Sequence, residues 1–197
     1  MSSENSLLTN SIYKIMRYII VDLEATCWEK NQTPDRMEII EIGAVSLESS
    51  SDSPKSEFAK FIKPVSEPIL SDFCKNLTTI SQEEIDQSEY FYQVFPAFLD
   101  WIGDETFTIC SWGNYDMNQF RVDCQRHNIA FPETFLNHIN LKTGFARIMN
   151  VKSCGMTKAI KLLGFNLAGT HHRGIDDARN IAKIAQVILP RIEVENH

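Results

Sequence analysis

Asp22 and Glu24 stand two residues apart in the run Tyr18-Ile19-Ile20-Val21-Asp22-Leu23-Glu24. A β-strand turns successive side chains to opposite faces, so both carboxylates point one way and Ile19, Val21 and Leu23 the other. Two acids on one face of an apolar strand repel each other and lose hydration unless cations neutralise them. Taken alone, the pair also fits the polar end of a strand. Asp116 follows Trp112-Gly113-Asn114-Tyr115. The glycine permits a turn there, and the acid falls in a first helical turn, where the helix dipole favours it for purely structural reasons as well. Asp176 and Asp177 open the last helical pattern, and one of them is expected as its N-cap. Asp177, Ile181, Ile184 and Ile188 recur at i, i+4, i+7 and i+11, whereas Asp176, Asn180, Lys183 and Val187 form a more polar stripe. This register turns Asp177 inward and Asp176 toward solvent.

His171 and His172 precede that helix in a loop with glycines at both ends, Gly169 and Gly174. The spacing His172-x4-Asp177 pairs the inward acid with His172 and leaves His171 with Asp176. Oxygen-rich clusters suit Mg²⁺ or Mn²⁺. Four carboxylates, Asp22, Glu24, Asp116 and Asp177, are enough for two such ions about 3.5–4 Å apart, one polarising a water and the other stabilising a leaving 3′ oxygen. His172 titrates in the range that suits a general base taking the water's proton. No G-x-G-x-x-G or G-x4-G-K-[ST] phosphate loop is present, and no Ser or Cys nucleophile pattern.

These residues need a scaffold that brings distant segments together. Strands are expected at Tyr18–Glu24, Glu38–Leu47, Glu57–Lys63, Thr106–Trp112 and Asn137–Leu141. Helices are expected at Ser81–Gln87 (a capping box, Ser81 with Glu84), Phe91–Ile102, Asn114–His127, Lys142–Asn150, Met156–Leu163 and Asp176–Leu189, the last closed by Pro190. In the Asn114–His127 helix, Met117, Phe120, Val122 and Cys124 are expected inward. The order predicts an α/β domain with a mixed five-stranded sheet, its first strand central. Residues 1–16 read as a flexible N-terminal tail, 17–190 as the folded domain and 191–197 as a C-terminal tail.

At 197 residues, 43% hydrophobic and 23% charged, the chain suits one soluble domain with a sizeable core. No apolar run approaches the roughly 20 residues of a membrane span, and no secretory signal is visible. The five cysteines are odd in number and lack a C-x-x-C pair. Neither a disulfide framework nor structural zinc is expected, and a reducing, cytoplasmic setting fits. The net charge of −7 argues against extensive gripping of a nucleic-acid duplex. Two divalent cations would bring it to −3, however, and the charge is uneven. From Thr134 to Ile175 there is no Asp or Glu, while Lys142, Arg147, Lys152, Lys158, Lys161 and Arg173 fall there. This makes a basic track leading to the histidines.

Asp22-Leu23-Glu24, Asn114-Tyr115-Asp116 and His172-x4-Asp177 resemble, in order, the three exonuclease motifs of the DEDD superfamily, which is DnaQ-like with a ribonuclease H-like fold. The histidine resembles the DEDDh branch; a tyrosine four residues before the last Asp marks the other branch, and Arg173 stands there. The stretches Asp22–Trp28, Glu38–Val45, Leu77–Gln82 and His172–Ile181 are similar to the Eri-type exoribonucleases, which include a 3′ histone-mRNA exonuclease. The resemblance covers roughly residues 17–190. It implies a three-layer domain in which Asp22, Glu24, Asp116 and Asp177 ligate two Mg²⁺ ions and His172 is the general base. The backbone at Glu24 and Ala25 would hold the terminal sugar and phosphate. Phe73 matches a position that packs on the terminal base, and Tyr115 replaces what is often a tryptophan. For both aromatics a plain core role also remains open. The implied reaction releases nucleoside 5′-monophosphates from 3′ ends, on single-stranded RNA or a short overhang. A DNA-directed nuclease of the same chemistry and a silent nucleic-acid-binding adaptor remain alternatives. Protein partners are not specified. Some members of the family carry a nucleic-acid-binding domain ahead of the nuclease. With about 16 residues before the first expected strand, that domain is expected to be absent.

Overall fold

The computed structural model describes residues 16–30 and 32–195, with side chains through Ile192. Most of the expected N-terminal tail therefore lies outside the described residues. Met16 is described, and its sulfur packs by the Thr108 hydroxyl at 3.3 Å.

Among the described residues, β1 (Arg17–Ala25), β2 (Ile39–Leu47), β3 (Ser56–Phe61), β4 (Phe107–Ser111) and β5 (Ile139–Asn140) form one sheet in the order β3-β2-β1-β4-β5. β1 runs antiparallel to β2 and parallel to β4. It is central, as its apolar flanks require: a strand covered on both faces carries few polar residues. The helices are α1 (Asp72–Thr78), α2 (Gln82–Asp86), α3 (Phe91–Ile102), α4 (Tyr115–Arg126), α5 (Leu141–Ile148), α6 (Met156–Leu162) and α7 (Gly174–Glu195). Ile19, Val21 and Leu23 face α3 and α4, within a cluster that holds Phe95, Phe98 and Phe120. Tyr18 and Ile20 face the other way, against Phe145, Ile160 and the Ile181–Ile188 stripe of α7. Helices thus cover both faces of the mixed sheet, which is the expected three-layer architecture.

α7 lies hard against the sheet. A Cβ on Gly43 would meet the Gly174 carbonyl carbon at 2.0 Å, and Gly174 itself lies over Gly43 and the Asp22 carbonyl. In β2, only glycine at 43 leaves room for the start of α7. The helix is also longer than expected. It passes through Pro190 to Glu195, so residues 191–195 are helical and not part of a loose tail. A proline inside a helix removes one hydrogen bond and costs about 3 kcal/mol. Here the burial of Leu189 and Ile192 on either side offsets it, Ile192 seating over Gly144 of α5.

Other departures are small. α1 was not foreseen, although its cap is readable: the Ser71 hydroxyl accepts the Cys74 N–H. A 3-10 turn at Glu133–Leu136 was likewise missed. In α4, Val122 is only half-buried, and Asp123 is the buried residue at that point. Arg126 and Gln119 bind its carboxylate at 2.6 and 2.8 Å, which makes an acid tolerable there.

Gly43→Ala should force α7 off the sheet. Overpacking of this kind costs about 1–3 kcal/mol, to be read as a lower urea midpoint at unchanged slope.

Candidate active site

The β1 register places Asp22 and Glu24 on the α7 face, at the end of the strand. α7 enters over that end with Asp177 in its first turn. One oxygen from each of Asp22, Glu24 and Asp177 lies within 4.8 Å of the others. Asp116, in the first turn of α4, closes the set from the β4 side. Its Oδ1 accepts the Leu23 N–H at 3.1 Å, which locks α4 to β1. The four acids bottom a cleft of about 480 Å³, whose walls include Ala25, Cys27, Met37, Leu77, Trp112, Tyr115, Gly155, Met156, Thr157, His171 and His172. A larger hollow of about 600 Å³ by the start of β4 is lined by Leu99, Ile102, Phe107 and Pro132, and its charged residues are three exposed acids, Asp100, Asp104 and Glu105.

Electrostatics mark the cleft as a site. Burial, then the charges of Asp116, Glu24 and Asp177, raise the Asp22 carboxyl well above the usual range. Burial, then Asp177 and Glu41, push Glu24 up to about 9. Burial lifts Asp116 to about 6, against the Ser111 hydroxyl and the Leu23 N–H, which favour its charge. Burial and the same carboxylates hold the Tyr115 phenol protonated. Asp177 Oδ1 is buried with no hydrogen-bond partner. A lone carboxylate oxygen beside two further acids is costly without a cation, and an all-oxygen donor set suits a hard divalent ion. The residues present therefore fit divalent metal. Glu38, Asp123 and His127 also cluster, but their carboxylates are already held: Glu38 accepts the N–H groups of Val65, Ser66 and Glu67, and Asp123 binds Arg126 and Gln119.

The histidine pairing differs from the expected one. His171 Nδ1, not His172, meets Asp177 Oδ2, at 2.8 Å, and His172 contributes its backbone N–H to the same oxygen at 3.0 Å. A five-residue separation that begins in a loop fixes no side-chain geometry. α7 begins at Gly174, and His172 has a left-handed backbone, φ 65°. The two rings stack at 3.9 Å. Among the described residues the His172 ring nitrogens have no hydrogen-bond partner, and burial and His171 lower its pKa, against Asp177. Asp176 turns away to Thr170 and Arg179. Neither aspartate is the N-cap, because both lie inside the first turn. Asn180, placed on the polar stripe, is buried and clamps Ala168 through two hydrogen bonds.

Glu41 escaped the sequence reading. It lies opposite Glu24 in the β1–β2 register. Its buried Oε2 accepts the Gly174 N–H at 3.0 Å and meets Arg173 Nε at 3.4 Å. It thus caps α7 from across the sheet. Arg173, which also covers the Phe61 ring at 4.9 Å, belongs to this contact more than to the basic track. Burial raises the Glu41 pKa, opposed chiefly by the Gly174 N–H and Arg173. Its only sequence signal was an acid inside an otherwise apolar strand. Phe73 is exposed on α1 and is not part of the cleft lining; Leu77, one helical turn on, is. Tyr115 lines the cleft.

Among known proteins, the family model described as Exonuclease (RNase_T) matches residues 19–185. Human 3′-5′ exoribonuclease 1 is 31% identical over 179 residues, covering 86% of this chain and 51% of that protein. ERI1 exoribonuclease 2 of Danio rerio is 30% identical over 192 residues, covering 87% of this chain and 34% of that protein. The chain thus spans about half the length of these curated relatives, or less. Among solved structures, the nuclease domain of 3′hExo, a DEDDh family member bound to rAMP, superposes with a TM-score of 0.83 at 30% identity, over 92% of this chain and 94% of that one.

Glu24 gives a pH test. Its folded carboxyl titrates near 9 against an ordinary 4.5. The fold therefore holds this proton more tightly than the unfolded chain does. The resulting stability is present in full below about pH 4.5 and is lost as pH rises through about 9. The metal-free chain should lose melting temperature between about pH 5 and 9, and Mn²⁺ at about pH 8 should restore several degrees. Calorimetry with Glu24→Gln alongside checks both effects, since that variant should flatten them.

Proposed function

This chain belongs to the Exonuclease family, in its DEDDh branch, and we propose that it removes nucleoside 5′-monophosphates stepwise from the 3′ end of single-stranded RNA or a short 3′ overhang. The observation that carries this reading is the convergence of four carboxylates from β1, α4 and α7, with Asp177 Oδ1 buried and unpartnered. In this reading Asp22, Glu24, Asp116 and Asp177 offer the oxygen donors for two Mg²⁺ or Mn²⁺ ions. When bound, such ions supply an activated water and charge neutralisation at the leaving 3′ oxygen.

The chain's own residues do the rest. His172 stands in the cleft wall with free ring nitrogens and a lowered pKa. It is therefore neutral at physiological pH and can take the water's proton at a ring nitrogen. His171 orients Asp177 through its Nδ1, fixing which carboxylate oxygen faces Asp22 and Glu24. Glu24 and Ala25 end β1 at a register shift and line the cleft, which supports their backbone as the place that holds the terminal sugar and phosphate. Tyr115 in the wall, and Phe73 from α1 if that helix moves inward, would stack on the terminal base. Stacking tolerates any base, so little sequence preference is expected. The exoribonuclease names of the relatives support RNA over DNA as substrate.

The working unit is taken as residues 17–190 with the last turn of α7. No helix of the described residues is long and apolar enough to cross a membrane. All five cysteines are free thiols, which supports a reducing, cytoplasmic setting.

Side-by-side digestion of 5′-labelled RNA and DNA oligonucleotides of equal sequence tests the reading. RNA should shorten one nucleotide at a time with Mg²⁺ or Mn²⁺. Faster loss of DNA would reverse the substrate assignment, and binding without release would favour a silent adaptor. Asp22→Asn should abolish release while the far-ultraviolet circular dichroism stays unchanged. His172→Ala should lower kcat by about 10²–10⁴, with His171→Ala less severe.

A further inference from the structure

We propose that the outward face of α6 and the turn after it is a second nucleic-acid site, which holds the single-stranded RNA 5′ to the nucleotide being removed. The proposal rests on the exonuclease reading and deepens it. Lys158, Lys161, Leu162 and Phe165 stand at i, i+3, i+4 and i+7, and all four are exposed. The opposite face of α6, Met156, Ala159 and Ile160, is buried under α7. A short helix normally hides its apolar residues, yet Leu162 is 48% and Phe165 39% exposed.

Phe165 is also held rigid. Gly164 takes φ 74°, the Phe165 N–H bonds the Ile160 carbonyl, and the Gly164 N–H bonds Lys161. This is a Schellman closure, and it fixes the backbone that carries an aromatic ring at the surface beside two lysines. A fixed aromatic with flanking cations is how proteins hold single strands without reading sequence: bases stack on the ring and phosphates meet the lysines.

The face is continuous with the cleft. Gly155, Met156 and Thr157, which begin α6, line the cleft wall, and Thr157 Oγ1 lies 3.3 Å from His171 Nε2. From Thr157 to Leu162, the last residue of α6, the rise is about 8 Å, the length of about two stacked nucleotides at about 3.4 Å each. Charge selects this exit. No acid occurs between Thr134 and Ile175. The opposite wall, formed by residues 27–37 and α1, sets Glu29, Asp35 and Asp72 against Lys30, Arg36 and Lys75, with Arg36 held by Glu67 and Lys75 by Asp72, so it carries no acid-free basic face.

Fluorescence anisotropy tests this with RNA oligonucleotides of three and nine nucleotides, on the full chain carrying Asp22→Asn so that RNA is not consumed. The longer RNA should bind more tightly. Lys158→Gln with Lys161→Gln should reduce the slope of log K against log salt by about 1.4 for the nine-mer and leave the three-mer slope alone. Phe165→Ala should weaken the nine-mer by about fivefold or more. Equal affinity for the two lengths, or an unchanged slope and affinity in the variants, overturns the proposal. Mononucleotide release from the three-mer by the unsubstituted chain is measured in parallel. Release without a length effect sinks the α6 face alone. No release sinks the nuclease reading and this proposal with it.

Discussion

The site depends on one close contact, the start of α7 against β2. Gly43 leaves no Cβ where the Gly174 peptide lies, and Glu41 from the same strand accepts the Gly174 N–H. These two features set the height and the angle at which α7 arrives. Asp177 then falls beside Asp22 and Glu24, and His171 and His172 fall on the rim. The apolar stripe of α7 beneath them, Ile181, Ile184 and Ile188, holds the helix down on Ile20 and Val45. Packing force and positional accuracy thus come from different residues of one element.

The price of this arrangement is a set of acids that oppose one another. Desolvation and mutual repulsion act in the same direction on Asp22 and Glu24. Asp116 has local relief from Ser111 and the Leu23 N–H, and Asp177 from His171 and the His172 N–H. An apolar strand flanking such a cluster is stable only because Ile19, Val21 and Leu23 are fully covered on the other face. The fold therefore tolerates a locally unfavourable charge set by overbuilding the core behind it.

Much of this was legible in the sequence where periodicity is strong. The two-residue alternation of β1 and the stripe of α7 separated inward from outward acids, and both held. The central place of β1 followed from its unbroken apolar flanks. What failed depended on backbone that carries no period. The pairing of His172 with Asp177 rested on a five-residue spacing through a loop whose φ at His172 is 65°, and the ring meeting Asp177 is that of His171. Glu41 was invisible because its partner, the Gly174 N–H, is distant by more than 130 positions. Pro190 read as a stop because the signal that overrides it, Ile192 on Gly144, is tertiary. Asn180 looked like a surface residue until the chain folded back and gave it the Ala168 peptide to bind.

The contact between Gly43 and Gly174 also orders events in time. During synthesis β1 leaves the ribosome with Asp22 and Glu24 long before α7 exists, and chains fold progressively from the N-terminal side. Asp177 and both histidines are among the later residues made, and they reach the sheet only when α7 docks. A partly translated copy that stops short of residue 171 therefore contains Asp22, Glu24 and Asp116 but neither Asp177 nor the histidine rim. The carboxylate cluster is therefore among the last parts of the fold to be completed.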